Sequence, residues 1–390
     1  MSPAASTAPA AQQRIHSVFP MPAARAGIAS ILLEFCDAVD RDAALRRRFE
    51  CTAWMSMANR EAMRRYLRGA VPLAVARLLV RRQLGMDWMA RWTMRRLRAE
   101  ARAGDLAVLY PGPTPADVAA LRRMGVVIVH DPVNAAYPLG WRMLERAYAA
   151  AGMPMPSGPD TAAIASERGK VDPGDAVLAC SPHVADSYAE LGVPRARIVP
   201  TSYGFNPHTF QPIRRTSTRP TFLFAGTGSV RKGLPVLLAA WARAGIDGRL
   251  LVVGRVDADV AERHADRMRQ PTVEFRGYTS DLAGVYGEAD AFVLTSFEEG
   301  SPLVSYLALA AGLPCVLSPA SAGWLVRDGV EGLVVEPDDV DGIARALRTL
   351  ADDVALRGRM AAAAARRSAD YTWDRVAQQR LAALAQFLPR

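Results

Sequence analysis

Two segments of the chain place cations, carboxylates and glycines where phosphate and sugar chemistry could occur. The first, Phe222–Trp241, reads FLFAGTGSVRKGLPVLLAAW. An apolar strand pattern enters a turn containing Gly226 and Gly228, passes Arg231 and Lys232, and continues as an amphipathic helix. Glycines let a backbone approach a ligand closely, a helix start offers unpaired N–H groups, and two cations stand where a diphosphate would lie. Strand–glycine–helix turns are also purely structural in many α/β proteins, so this segment alone leaves both readings open. The second, Ala291–Pro314, ends a strand in Glu298-Glu299-Gly300-Ser301-Pro302 and starts a helix at Pro302 or Leu303. A Glu at the mouth of a parallel sheet accepts hydrogen bonds from sugar hydroxyls, and the N–H groups of Ser301 to Val304 can bind phosphate. Complementation of the helix dipole by the two acids is the structural alternative. A third candidate is His130, which closes the run Val126-Val-Ile-Val at the strand edge where α/β folds bind ligands. Asp131 and Asn134 follow it.

Parallel strands must position these groups. Short apolar runs bounded by Gly, Pro or Asp alternate with longer helical patterns, which predicts an α/β protein built from βαβ units. Strands are expected at Ile15–Phe19, Leu106–Tyr110, Val126–Val129, Ala176–Ala179 and Ile198–Pro200. In the second half they are expected at Thr221–Phe224, Arg249–Val253, Val273–Phe275, Ala291–Leu294, Cys315–Leu317 and Gly332–Val334. Helices are expected at Leu234–Ala244, whose Leu234, Leu237, Leu238 and Trp241 share a face, and at Val340–Ala351. The Pro-rich stretch Asn206–Pro220 reads as an interdomain linker with the boundary near 205–215.

Composition excludes several classes. With 390 residues the chain suits two domains, and 50% hydrophobic with 22% charged residues excludes a disordered or fibrous protein. No apolar run reaches the roughly 18–20 residues of a membrane-spanning helix, and the start lacks the pattern of a signal peptide. Four scattered cysteines, with no CxxC, suit reduced thiols and a cytoplasmic setting. The net charge of +9 is local, because Arg46 to Arg102 holds fifteen arginines against four acids. Residues 57–83 read as a basic amphipathic helical region broken near Pro72. Docking on an anionic membrane surface is one expectation, peripheral to a cytoplasmic protein, and a solvated or internally paired face is the other. No nucleic-acid-reading motif accompanies the basic run.

Taken together, the two chemistry-bearing segments resemble the nucleotide-binding half of glycosyltransferase family 4, the group 1 glycosyltransferases of GT-B fold. Asp175–Ser181, Ile198–Gly204 with Phe210 and Pro212, Asp328–Val334 and Tyr371-Thr372-Trp373 match further motifs of that family in order. The resemblance implies two Rossmann-like domains facing across a cleft, with a final helix crossing back to the first. Domain limits follow as a disordered 1–13, an acceptor-side domain 14–205 with the basic helical region, a donor-binding domain 206–370, and the returning helix 371–390. It implies a retaining, metal-independent hexosyl transfer from a UDP- or GDP-linked sugar, taken as substrate with no cofactor. The acceptor would be a glycan or lipid-linked molecule of cell-envelope or polysaccharide synthesis.

By the same resemblance, Arg231 and Lys232 neutralise the donor diphosphate, Glu299 contacts the donor sugar, and His130 stands near the reacting sugar. Gly27, Gly226, Gly228, Gly300, Ser301, Pro302 and Leu303 complete the donor contacts. The family's second acid, eight positions after the first, is Leu307 here, and a carboxylate supplied from elsewhere, a looser ribose pocket or loss of activity would each fit that departure. Asp257-Ala-Asp259 reads as surface and not as a metal-binding pair. The rivals are a catalytically impaired GT-B scaffold serving as a binding or partner subunit, and a nucleotide-sugar epimerase or phosphorylase.

Overall fold

The computed structural model describes residues 12–21, 27–58, 65–68, 71–72, 86–213 and 219–388. The expected disordered start and much of the basic stretch lie outside these residues. The chain forms two compact units: Met1–Asp131 with Gly169–Val177 and Ala377–Arg390, and Pro132–Arg168 with Leu178–Val376.

The strands of the first half are β1 (Gln13–Val18), β2 (Phe49–Trp54), β3 (Met57–Ala58), β4 (Leu67–Arg68), β5 (Val71–Pro72), β6 (Leu106–Leu109), β7 (Val127–His130), β8 (Ala176–Ala179) and β9 (Ile198–Pro200). Seven of them form a sheet in the order β4-β2-β1-β6-β7-β8-β9, while β3 pairs with β5. Within the first unit, Val18, Trp54, Leu97, Leu109, Leu121 and Ile128 belong to one buried cluster. The second half supplies β10 (Thr221–Ala225), β11 (Arg249–Val253), β12 (Val273–Gly277), β13 (Ala291–Leu294), β14 (Cys315–Leu317) and β15 (Gly332–Val334). These form a parallel sheet ordered β12-β11-β10-β13-β14-β15. β10, β11, β13 and β14 are almost wholly buried, as strands covered on both faces must be, which is why they read as continuous apolar runs.

One expectation changes. Of the basic helical region read at 57–83, the described residues 57–58, 67–68 and 71–72 are the strands β3, β4 and β5 rather than helix, and most of the region lies outside the described residues. β2 sits inside the sheet, paired with β1 on one side and β4 on the other. Its polar Thr52 is buried because the hydroxyl meets His16 Nδ1 at 2.7 Å, and His16 Nε2 lies 3.1 Å from Asp105. Some arginines of the stretch are paired within the first unit: Arg98 donates to Asp117 (2.6 Å), and Arg65 meets Asp40.

The last helix, Trp373–Ala385, brings a buried cation into the first unit. Arg380 and Asp131 are 3% and 0% exposed, and the Arg380 guanidinium pairs with the Asp131 carboxylate. Arg380 Nη2 also donates to the Tyr110 hydroxyl at 3.2 Å, and the guanidinium lies 5.7 Å from the Phe35 ring. Removing one partner of such a pair strands a charge out of water. Arg380→Met is therefore expected to cost about 3–5 kcal/mol in denaturant unfolding. Asp131→Asn in the same chain should recover part of that loss. A cost under about 1 kcal/mol, the value of an exposed pair, would show the ion pair to be energetically idle.

Candidate active site

The second sheet has the doubly wound order in which strand succession reverses at its centre. The reversal falls between β10 and β13, and such folds bind ligands beyond the carboxyl ends of the strands at that point. The loops leaving β10 and β13 are the two segments with cations and acids. A backbone hydrogen bond from Phe297 N to the Arg231 carbonyl (2.9 Å) ties them together. Closeness of this order needs glycine. Gly233 starts the helix Leu234–Ala244 in the left-handed region (φ 72°), and a Cβ there would sit 2.2 Å from the Thr295 carbonyl oxygen.

The charged groups converge. Lys232 Nζ pairs with Glu299 Oε1, which also accepts from Ser296 Oγ at 3.2 Å. Arg231 Nη1 donates to the Glu298 carbonyl oxygen (2.8 Å) and to its carboxylate (3.0 Å), and it lies 3.6 Å from Glu299. Glu298 and Glu299 are 5% and 6% exposed, whereas a third of the Arg231 side chain remains open to solvent. Burial works against the Arg231 charge, but Glu299 and Glu298 outweigh it and hold its pKa above the ordinary value. Burial pushes the Glu298 carboxyl up; Arg231 opposes this and Glu299 adds to it. The cluster is thus a pair of half-sheltered cations at a sheet switch point, each held by a buried acid.

Glu298 also meets the loop before the helix Tyr137–Ala151, accepting from Ala135 N at 3.4 Å. Gly300 packs so tightly on that loop that a Cβ would lie 1.6 Å from the Val133 carbonyl oxygen. Val133 has φ 61°, alone among the described non-glycine residues in being positive, and a β-branched residue is costly there. The Ser301 hydroxyl is turned inward, 2.7 Å from the Tyr306 hydroxyl, which accepts from Tyr203 N at 3.0 Å. Pro302 precedes the helix Leu303–Ala310 without a side-chain cap, so the first-turn N–H groups receive no hydrogen bond from the cap residue. Leu307 is half-buried on that helix. Gly226 (φ 138°) lies beneath the Lys232 stem, with its would-be Cβ 3.3 Å from Lys232 Cδ, and Gly228 bridges to Val256.

His130 and Gly27 belong to the first unit. His130 ends β7 at 6% exposure, its ring against Gly174, where a Cβ would come within 2.8 Å of Cδ2. Gly27 opens the helix Gly27–Arg41 and is exposed. Reading by residue type singled out Glu299 and passed over Glu298, its equally buried neighbour. Asp257 was set aside as surface, and it is exposed, yet its carboxyl lies in the field of Arg231. Among the described residues no group of three or more His, Cys, Asp or Glu side chains is arranged to hold a metal.

Residues 219–353, which carry this cluster, match the family model described as glycosyl transferases group 1. They are a group 1 glycosyltransferase domain. The family resemblance drawn from the sequence therefore holds. The chain is 29% identical to the lipopolysaccharide core biosynthesis glycosyltransferase LpsE of Rhizobium meliloti, over 48% of this chain and 57% of that protein. It is 32% identical to glycogen synthase of Mycobacterium tuberculosis, over 52% of each chain. The chain spans about half the length of these curated relatives. Its fold is that of solved GT-B structures. Sucrose-phosphate synthase from Thermosynechococcus elongatus aligns over 96% of this chain and 99% of its own, at 18% identity and a TM-score of 0.72. HepE from Anabaena, solved in complex with UDP-glucose, aligns over 96% and 100% at 16% identity and a TM-score of 0.67.

Proposed function

We propose that this protein is a retaining, metal-independent glycosyltransferase that moves a hexose from a UDP- or GDP-linked donor to a glycan or lipid-linked acceptor of cell-envelope or polysaccharide synthesis. The convergence of Arg231 and Lys232 on the β10/β13 switch point carries this reading. Departure of a nucleoside diphosphate builds negative charge on the leaving phosphate, and fixed cations beside it stabilise that charge without reorganising. Uncapped N–H groups at Leu303 add to the positive potential. Glu299, held by Lys232 and Ser296, is placed to accept hydrogen bonds from a sugar hydroxyl. The leaving phosphate would take the acceptor's proton on the face where the new bond forms. The role of His130 near the reacting sugar rests on the family resemblance. Solved HepE complexes with UDP and with UDP-glucose make uridine donors the first to test.

The experiment is nucleotide release from a panel of UDP- and GDP-hexoses with chelator present, followed by the anomeric configuration of any transferred sugar. Release for one base and a retained configuration are expected. Release only on adding a divalent cation, or an inverted product, would overturn the mechanism. The impaired-scaffold alternative is favoured by Leu307 alone, and it predicts donor binding without any release.

An anionic membrane surface is part of the same proposal, with a cytoplasmic, peripheral protein. Among the described residues no helix is long and apolar enough to cross a membrane. Exposed Arg46 and Arg47 line a cavity of about 540 Å³ in the first unit, together with Arg65 and Arg68. Co-sedimentation with anionic vesicles is expected to exceed that with neutral vesicles about tenfold at low salt, and to collapse as the screening length shrinks towards about 8 Å. Equal binding under all conditions would assign the arginines to a solvated face.

A further inference from the structure

At rest the two cations Arg231 and Lys232 are balanced by the two carboxylates Glu298 and Glu299, and outside these four groups Asp257 adds a further negative field at Arg231. A balanced cluster attracts a diphosphate poorly. The two acids differ in what they can give up. Glu299 is held by the ammonium of Lys232, by Ser296 and at longer range by Arg231. Glu298 depends on Arg231 for its cation, the group a diphosphate would engage, and otherwise accepts one long hydrogen bond from Ala135 N.

Resting on the donor-binding reading above, we propose that Glu298 is a titratable counter-ion of Arg231, so that a diphosphate bound at Arg231 drives Glu298 to take a proton from solvent. The cluster then carries one more positive charge than at rest, and donor binding is linked to proton uptake. The surroundings support this assignment. Glu298 is nine-tenths shielded from water, so its charged form depends on Arg231, and burial already pushes its carboxyl up. A diphosphate both draws on Arg231 and repels the carboxylate, and each effect favours the neutral acid. No charge on the packed helix Tyr137–Ala151 is spare to replace Arg231: Arg142 pairs with Glu190, and Arg146 pairs with Glu336 and Asp338. Glu145 on the same helix accepts from Trp141. On the loop itself Glu299 disfavours a second negative charge beside it.

The test is calorimetric titration of the full chain with UDP-glucose and with GDP-mannose, in two buffers of different ionisation enthalpy. Both probes carry diester phosphates, which lack the second ionisation near pH 6 of a phosphate monoester, so any proton taken up belongs to the protein. The wild type is expected to take up part of a proton per donor bound, and to bind more tightly as pH falls from about 8 to about 6. Glu298→Gln is isosteric and keeps an acceptor for Arg231; it should bind the donor about fivefold more tightly or better, with the uptake lost. Donor binding without proton uptake in the wild type, or uptake and affinity unchanged or affinity weakened in Glu298→Gln, would overturn the counter-ion role. Failure of both donors to bind either folded protein would instead overturn the donor-binding reading, and this inference with it.

Discussion

Lys232→Ala should lower the rate of sugar transfer about 100-fold or more, the usual cost of losing one preorganised charge at a leaving group. The same change should destabilise the fold by about 2–3 kcal/mol. That is less than a fully stranded buried charge costs, because Arg231 and Ser296 remain near Glu299. The two losses separate in a double variant. Adding Glu299→Gln neutralises the abandoned carboxylate, so stability should return while transfer stays low. Initial rates at low and saturating donor, with denaturant unfolding of all three proteins, provide the comparison. A transfer rate unchanged in Lys232→Ala would remove Lys232 from the site.

Gly233→Ala should cost about 3–4 kcal/mol in stability and take donor binding with it. Alanine at φ 72° is strained, and its Cβ would meet the Thr295 carbonyl oxygen at 2.2 Å, so the loop after β13 must retreat from the loop after β10. Those loops carry Glu298 and Glu299 on one side and Arg231 and Lys232 on the other. Spreading them opens both ion pairs at once. Thermal unfolding and donor titration of the folded fraction measure the two effects. A variant as stable as the wild type would show that the backbone relaxes without moving the acids.

The sheet of the second half was largely legible because its strands are covered on both faces. FLF, LLVV, AFVL and CVL stand out as apolar runs, and each observed strand falls within two residues of the expected span. β2 escaped notice because FECTAW follows three arginines and its Thr52 is buried through a polar contact with His16, a partner that sequence pattern does not reveal. Arg231, Lys232 and Glu299 were legible because each stands a few residues beyond a strand end, where chemistry gathers in α/β folds. The separate part of Glu298 was not, since two adjacent acids look alike until the loop's path gives one to Lys232 and the other to Arg231. Long-range pairs left no local trace either. Arg380 and Asp131 are 249 positions apart, and on its helix Arg380 reads like any surface arginine.

The claim on which the functional account turns is that Arg231 and Lys232 hold the diphosphate of a nucleotide-sugar donor. Phosphorus NMR of UDP-glucose and GDP-mannose observes that diphosphate directly. With the wild-type protein, both phosphorus resonances of one of these donors are predicted to shift and broaden, and neither should move with folded Arg231→Ala/Lys232→Ala. Perturbation that persists in the double variant, or none from either donor with the folded wild type, would contradict the account.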